Sequence, residues 1–101
     1  MMTTFAPIIT RVAPTDTNPV DVFSGGRVKI LGFIVSNTSG SAATATIRTN
    51  EASPTTLFTV RLPLNFSFSV PIPWIADKGI EVIDETGNVI VFSFLHTQEG
   101  S

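Results

Sequence analysis

The single histidine of this 101-residue sequence, His96, is the first residue that could carry out acid–base chemistry. It ends an apolar stretch that runs from Val89 to His96. A Ser-His-Asp system requires the histidine to be held by a carboxylate and directed at a serine. None of the serines lies in a nucleophile-elbow sequence. We therefore predict that His96 is an exposed residue at the end of a strand and not a catalytic base.

The carboxylates Asp77, Glu81, Asp84 and Glu85 form the second candidate group. Glu81 and Asp84 are separated by an odd number of positions, so on a regular strand their side chains point to opposite faces. This arrangement does not suit the paired carboxylates of a glycosidase. We interpret the group as a solvated turn.

Metal and phosphate sites have few candidates. The oxygen-rich segments Asp16-Thr17-Asn18 and Asp84 to Asn88 do not match the ligand spacing of a calcium loop. Gly25-Gly26 is not followed by the lysine of a phosphate loop, so it is read as a turn. The chain contains no cysteine, which leaves too few soft ligands for zinc and excludes disulfides. We expect no metal and no other cofactor.

Trp74 is the remaining chemical signal, because it lies in a proline-rich segment, Pro71-Ile72-Pro73-Trp74. A carbohydrate-binding module could stack a sugar on it, but such a site normally uses several aromatic residues on one open face. Tryptophan is also enriched among the residues that anchor protein interfaces. We predict that Trp74 packs at an end of the domain or at a subunit contact, with carbohydrate binding as the alternative.

Composition limits the classes of function. Charged residues make up 14% of the chain and hydrophobic residues 43%, which is typical of a folded domain. The net charge is −2 and the basic residues are scattered singly, so we expect no nucleic-acid partner. No apolar run approaches the roughly 20 residues of a membrane helix, and the start of the sequence lacks the features of a signal peptide. A small core without disulfides favours association with other subunits.

The elements that must position these residues are predicted to be strands. Thr, Val, Ile and Phe dominate, turn residues recur at short intervals, and no segment has helical periodicity. We predict an all-β fold of about eight short strands, arranged as a two-sheet antiparallel sandwich with jelly-roll or immunoglobulin-like topology. The predicted strands after the first 19 residues are Val20–Phe23, Arg27–Asn37, Ala43–Asn50, Thr56–Leu62, a strand around Phe66, Phe68 and Val70, Ile80–Ile83 and Val89–His96.

Three strands carry the clearest side-chain patterns. Alternation places Ala43, Ala45 and Ile47 on an inner face, with Thr44, Thr46, Arg48 and Asn50 facing out; Phe58, Val60 and Leu62 are also predicted to face inward. In Arg27–Asn37, regular alternation places Lys29, Leu31, Phe33 and Val35 on one face and Val28, Ile30 and Ile34 on the other. Because both faces are then apolar, we expect this strand to be covered on both sides.

Residues 1–19 are predicted to form an extended N-terminal arm, and residues 20–101 the sandwich domain. The prolines at positions 7, 14 and 19 cannot donate ladder hydrogen bonds, so the segment belongs at an edge or outside the sheet. We predict that the arm contacts another subunit, and the predicted interface residues are Phe5, Ile8, Ile9, Arg11 and Trp74. The alternative is an ordinary first strand packed on its own domain.

Several segments in order carry a resemblance: Val28 to Ser39, Ala43 to Thr49, Leu57 to Pro63 and Ala76 to Val82. This pattern resembles small β-sandwich virion proteins of tailed bacteriophages, especially capsid decoration (cement) proteins. The resemblance implies a non-enzymatic protein, commonly trimeric, that is assembled in the host cytoplasm and binds the major capsid protein on the outer capsid shell. Tail and fibre modules use similar sandwiches, and an adhesion module of that kind is the alternative.

Overall fold

The computed structural model describes residues 7–24, 27–71 and 73–97. These residues form strands and connecting turns with no helix, which confirms the predicted all-β class. The strands are β1 (Ile8–Val12), β2 (Val20–Phe23), β3 (Val28–Asn37), β4 (Ala43–Thr49), β5 (Thr56–Leu62), β6 (Ser67–Val70), β7 (Trp74–Ala76), β8 (Ile80–Asp84) and β9 (Ile90–His96).

The strands form two antiparallel sheets that pack as a sandwich. Sheet A has the order β1-β9-β3, and β6 and β7 then pair with successive parts of the free side of β3. Sheet B has the order β2-β8-β4-β5. The order within each sheet departs from the chain order, so the core forms only when distant segments meet. Sheet pairings connect the start of the described chain, in β1, with its end, in β9.

The core lies between the sheets and follows the predicted alternation. Ala43, Ala45 and Ile47 of β4 are buried, as is Leu62 of β5. They face buried side chains of sheet A, among which Phe92 and Phe94 are the largest. Phenylalanines from both sheets meet edge to face, a geometry that aromatic rings favour.

The predicted faces of β3 are wrong, because the strand contains an irregularity next to Leu31 that shifts the pairing with β9. A β-bulge of this kind adds a residue on one strand and reverses the alternation beyond it. Val28 and Ile30 before the bulge, and Phe33 and Val35 after it, are therefore all buried. Ile34 lies on the opposite, outer face and is 44% exposed, so β3 is covered on one side and not on both.

A break between β6 and β7 lies opposite Gly32 of β3. A Cβ atom at Gly32 would lie 3.0 Å from the carbonyl oxygen of Val70 and 3.3 Å from the Cα of Pro71. Glycine therefore allows the backbone to approach closely at this point. Pro71 and Pro73 lie outside the strands, whereas Trp74 begins the short edge strand β7.

The turn between β8 and β9 is organised by Asp84, which is fully buried at 0% exposure. Its carboxylate accepts hydrogen bonds from the backbone N–H groups of Thr86, Gly87, Val89 and Ile90 at 2.7–3.0 Å. The interpretation of this carboxylate as part of a solvated turn is therefore wrong. The turn itself is confirmed, with positive φ at Gly87 and Asn88.

Within the predicted arm, β1 pairs antiparallel with β9 along its whole length and forms an edge of sheet A. The division of the chain at residue 19 and the contact of the arm with another subunit stay predictions. Phe5, the first residue predicted to make that contact, lies outside the described residues.

Candidate functional site

His96 is buried, at 4% exposure, so its predicted exposed position is wrong. Its Nε2 lies 2.7 Å from the Oγ1 of Thr10, and its Nδ1 contacts the backbone carbonyl of Thr97. Because a carbonyl can only accept, Nδ1 donates and Nε2 accepts from the Thr10 hydroxyl in the neutral ring. The ring also packs on Phe23, with centroids 4.6 Å apart. His96 therefore joins β1, β9 and β2 and does not face a substrate site.

Glu81 is also buried, contrary to the solvated position predicted for it. It lies on the outer face of sheet B, where its carboxylate pairs with Arg48 of β4. Next to this pair, the Thr46 hydroxyl donates to Glu85 at 3.0 Å. Thr46 is consequently buried although it faces away from the core. Polar side chains on the outer face of sheet B thus form an ion pair and a hydrogen bond with one another.

Two further observations concern metal and membrane sites. No three His, Asp or Glu side chains among the described residues come together as metal ligands would. The same residues contain no helix that could cross a membrane.

The outer face of sheet A differs from that of sheet B because apolar side chains cluster on it. Ile9 of β1 is 70% exposed and pairs in register with Leu95 of β9, which is also exposed. Leu31 and Ile34 of β3 lie beside Leu95, and we call these four residues the outer apolar patch. The patch is the first candidate binding surface, since exposed apolar clusters on small proteins commonly mark interaction sites.

A groove of about 260 Å³ runs across the outer apolar patch. Gly32 lies in its lining and contributes no side chain, while Pro71 and Ser69 border it on the side of β6. Glycine at position 32 therefore has a second effect. Because it has no side chain, it leaves a depression in the outer surface of sheet A. The groove could accept an apolar side chain from a partner.

A second apolar cavity, which we call the Trp74 cleft, opens between the sheets where β5 lies opposite β6 and β7. It also measures about 260 Å³, and the described residues that line it are Phe33, Ile47, Leu57, Phe58, Val70 and Trp74. The Trp74 ring packs edge to face on Phe33, with centroids 5.8 Å apart. Every one of these lining side chains is apolar or aromatic, so the cleft suits an apolar group better than a sugar.

The structure does not bring the predicted interface residues to one place. Ile9 and Arg11 share the outer face of sheet A, whereas Ile8 points to the inner side of β1 at the open end of the sandwich. Trp74 lies on the opposite edge of the same sheet. These residues stay predictions as interface residues, now divided between two surfaces.

Sequence reasoning missed most of both surfaces. Ile34 and Leu95 of the outer apolar patch and Leu57 at the mouth of the Trp74 cleft are exposed apolar residues that no prediction selected. The sequence signal that could have found Leu95 is the presence of apolar residues on both faces of the predicted strand Val89–His96. For Ile34 the bulge concealed the signal, because regular alternation placed this side chain with the buried Val28 and Ile30.

Comparisons with known proteins define the fold class. No protein-family model and no curated protein matches the chain. Among solved structures, Drosophila NLP-core matches with a TM-score of 0.58 and 9% identity, covering 95% of this chain and 100% of that one. That structure is described in terms of pentamer formation and histone binding. Bacillus endospore appendages, described as disulfide-linked pili, match with a TM-score of 0.51 and 12% identity, over 94% of this chain and 88% of that one.

A viral coat protein is also among the similar structures. The Tobacco streak virus coat protein matches at a TM-score of 0.43 and 5% identity, over 94% of this chain and 88% of that one. A likeness this remote supports no argument about function. Together, NLP-core and the endospore appendages show that the chain has a β-sandwich fold that other proteins also adopt, and the fold alone does not assign a function.

Proposed function

We propose that this protein is a non-enzymatic structural component of a phage virion, a decoration (cement) subunit that binds the outer capsid shell. The outer apolar patch, with the groove at Gly32, is the observation that carries the proposal. It provides the surface that contacts the major capsid protein. The residues that could perform acid–base chemistry, His96 and Asp84, instead hold strands and turns together.

The charge around the outer apolar patch indicates what kind of surface it fits. The five strands of sheet A contain no aspartate or glutamate, and Arg11 and Lys29 are exposed on their outer side. A complementary surface is therefore apolar at its centre and carries carboxylates at its border, since charge complementarity selects between partners. We propose this chemistry for the part of the shell that receives the subunit.

Burial of the patch supplies a favourable contribution to binding. An apolar side chain of this size contributes on the order of 1.5–3 kcal/mol when it moves from full exposure to full burial. The gain for the patch is smaller, because Leu31 and Leu95 are already partly covered. In an oligomer that contacts the shell through several subunits at once, these modest contributions combine into a higher avidity.

Binding to purified capsids tests the proposal. Ile34→Glu places a charge in the patch without disturbing the core, and Thr59→Glu places the same charge on the exposed outer side of sheet B as the matched control. We expect the wild type and the control to saturate the capsids while Ile34→Glu loses at least about tenfold in affinity. Equal binding of all three proteins would contradict the proposed surface.

Mass spectrometry of purified virions tests the location. A decoration subunit is expected at a high copy number relative to the major capsid protein and in the capsid fraction after particle disruption. Recovery in the tail fraction at low copy number would instead support the tail or fibre alternative. For the assembled subunit we propose a homo-oligomer, with the trimer that the resemblance implies as the first state to test.

A further inference from the structure

We infer that the Trp74 cleft receives Phe5 from the N-terminal segment of a second copy of this chain, which lies along β5 as an added strand. This inference rests on the proposed function and deepens it, because it assigns the site through which the subunits associate. It concerns a surface separate from the outer apolar patch.

The cleft is built to accept an apolar side chain. The rings of Phe33, Phe58 and Trp74 form its wall. Phe33 packs edge to face on both other rings, and its centroid lies 5.3 Å from that of Phe58. Leu57 stands at its mouth and is 44% exposed. An aromatic side chain that enters would bury apolar surface and meet the ring faces and edges that aromatic groups favour.

The strand beside the cleft has a free edge. β5 is seven residues long and, within the described part of the chain, hydrogen-bonds to β4 on one side and to no strand on the other. Such an edge presents unpaired N–H and C=O groups to a further strand. An extended segment that adds there would gain main-chain hydrogen bonds, while its alternate side chains point into the cleft.

The chain itself contains a suitable segment. Residues 1–7 comprise Met, Met, Thr, Thr, Phe, Ala and Pro, with no charged side chain and with one aromatic residue. Pro7 follows the part that would pair, so its missing N–H costs no ladder hydrogen bond.

The position of β1 favours a neighbouring copy over the same chain as the source of Phe5. Ile8, His96, Ile30 and Trp74 form one row across sheet A, on adjacent strands from β1 to β7. With strands about 4.8 Å apart, the Cα atoms of Ile8 and Trp74 are about 14 Å apart. Three residues of fully extended chain, from Ile8 back to Phe5, span at most about 10 Å. Phe5 therefore reaches the cleft of another molecule more readily than its own.

A mixing experiment tests the inference. Phe5→Ala removes the inserted side chain but keeps the cleft, whereas Leu57→Glu blocks the mouth of the cleft but keeps the segment. We expect either variant alone to self-associate at least about tenfold more weakly than the wild type, and a mixture of the two to form a one-to-one dimer. Light scattering coupled to size-exclusion chromatography measures all three cases.

Ile75→Glu is the matched control, because Ile75 has the same 44% exposure as Leu57 but lies on the outer side of β7, outside both the outer apolar patch and the Trp74 cleft. It should leave self-association unchanged. If Leu57→Glu associates as strongly as Ile75→Glu, or if the wild type remains monomeric up to about 1 mM, the inference is wrong. The capsid-binding assay is read independently, so such a result leaves the proposed function standing.

Cysteine cross-linking separates exchange between copies from insertion within one chain. The sequence contains no cysteine, so Phe5→Cys and Leu57→Cys each introduce a single thiol. Oxidation of the mixed variants should yield a covalent heterodimer in excess of the homodimers formed by either variant alone. A double variant that instead forms an internal disulfide as a monomer would show insertion within one chain and overturn the inference.

Discussion

The hydroxyl of Thr10 and the Nε2 of His96, 2.7 Å apart, join the first described strand to the last. The contact lies on the inner side of β1 and β9 and is supported by the ring of Phe23. β1 otherwise has an exposed outer face and, among the described strands, pairs with β9 alone. This hydrogen bond therefore adds a buried side-chain link to the backbone pairing that holds β1, within the predicted arm, on β9.

Thr10→Val should weaken this link. Valine has nearly the same shape but cannot donate to His96, which leaves a buried ring nitrogen without its partner. We expect a loss of about 1–3 kcal/mol in the free energy of unfolding, the usual cost of an unsatisfied buried group, measured by urea denaturation. Thr56→Val, at an exposed position of β5, serves as the control. An unchanged midpoint for Thr10→Val would show that the hydrogen bond does not stabilise the fold.

Asp84→Asn should be among the most destabilising of the conservative substitutions. Each carboxylate oxygen of Asp84 accepts from two backbone N–H groups, and the amide nitrogen of asparagine would face two of these donors. We expect a loss of at least about 3 kcal/mol, seen as a large fall in the Tm by calorimetry. Asp16→Asn is the matched control, since exposed Asp16 accepts a single backbone N–H, that of Asn18. Similar Tm values for the two variants would contradict this role of Asp84.

Gly32→Ala should destabilise the protein by about 1–3 kcal/mol, because the added methyl group meets the backbone of Val70 and Pro71, which must move to accommodate it. Gly40→Ala provides the comparison, as a Cβ there has no atom within 4 Å. Chemical denaturation of both variants measures the difference. Equal stability would mean that β6 and β7 shift freely at their junction.

Local pattern was sufficient for much of the fold. The strand Thr56–Leu62 was predicted with its observed bounds, and Ala43, Ala45 and Ile47 were placed on the buried face. These features depend on strict alternation between neighbouring residues, which a sequence displays directly. The all-β class follows from the same alternation and from the frequent turn residues.

The tertiary structure alone decided the features that depend on distant partners. His96 and Asp84 looked exposed because polar residues usually lie at the surface, but Thr10, 86 positions from His96, and the backbone of the β8–β9 turn satisfy their hydrogen bonds inside the protein. Regular alternation could not show the bulge that turns Ile34 outward. The outer apolar patch and the Trp74 cleft arise where strands from separate parts of the chain meet, so only the pairing of those strands creates them.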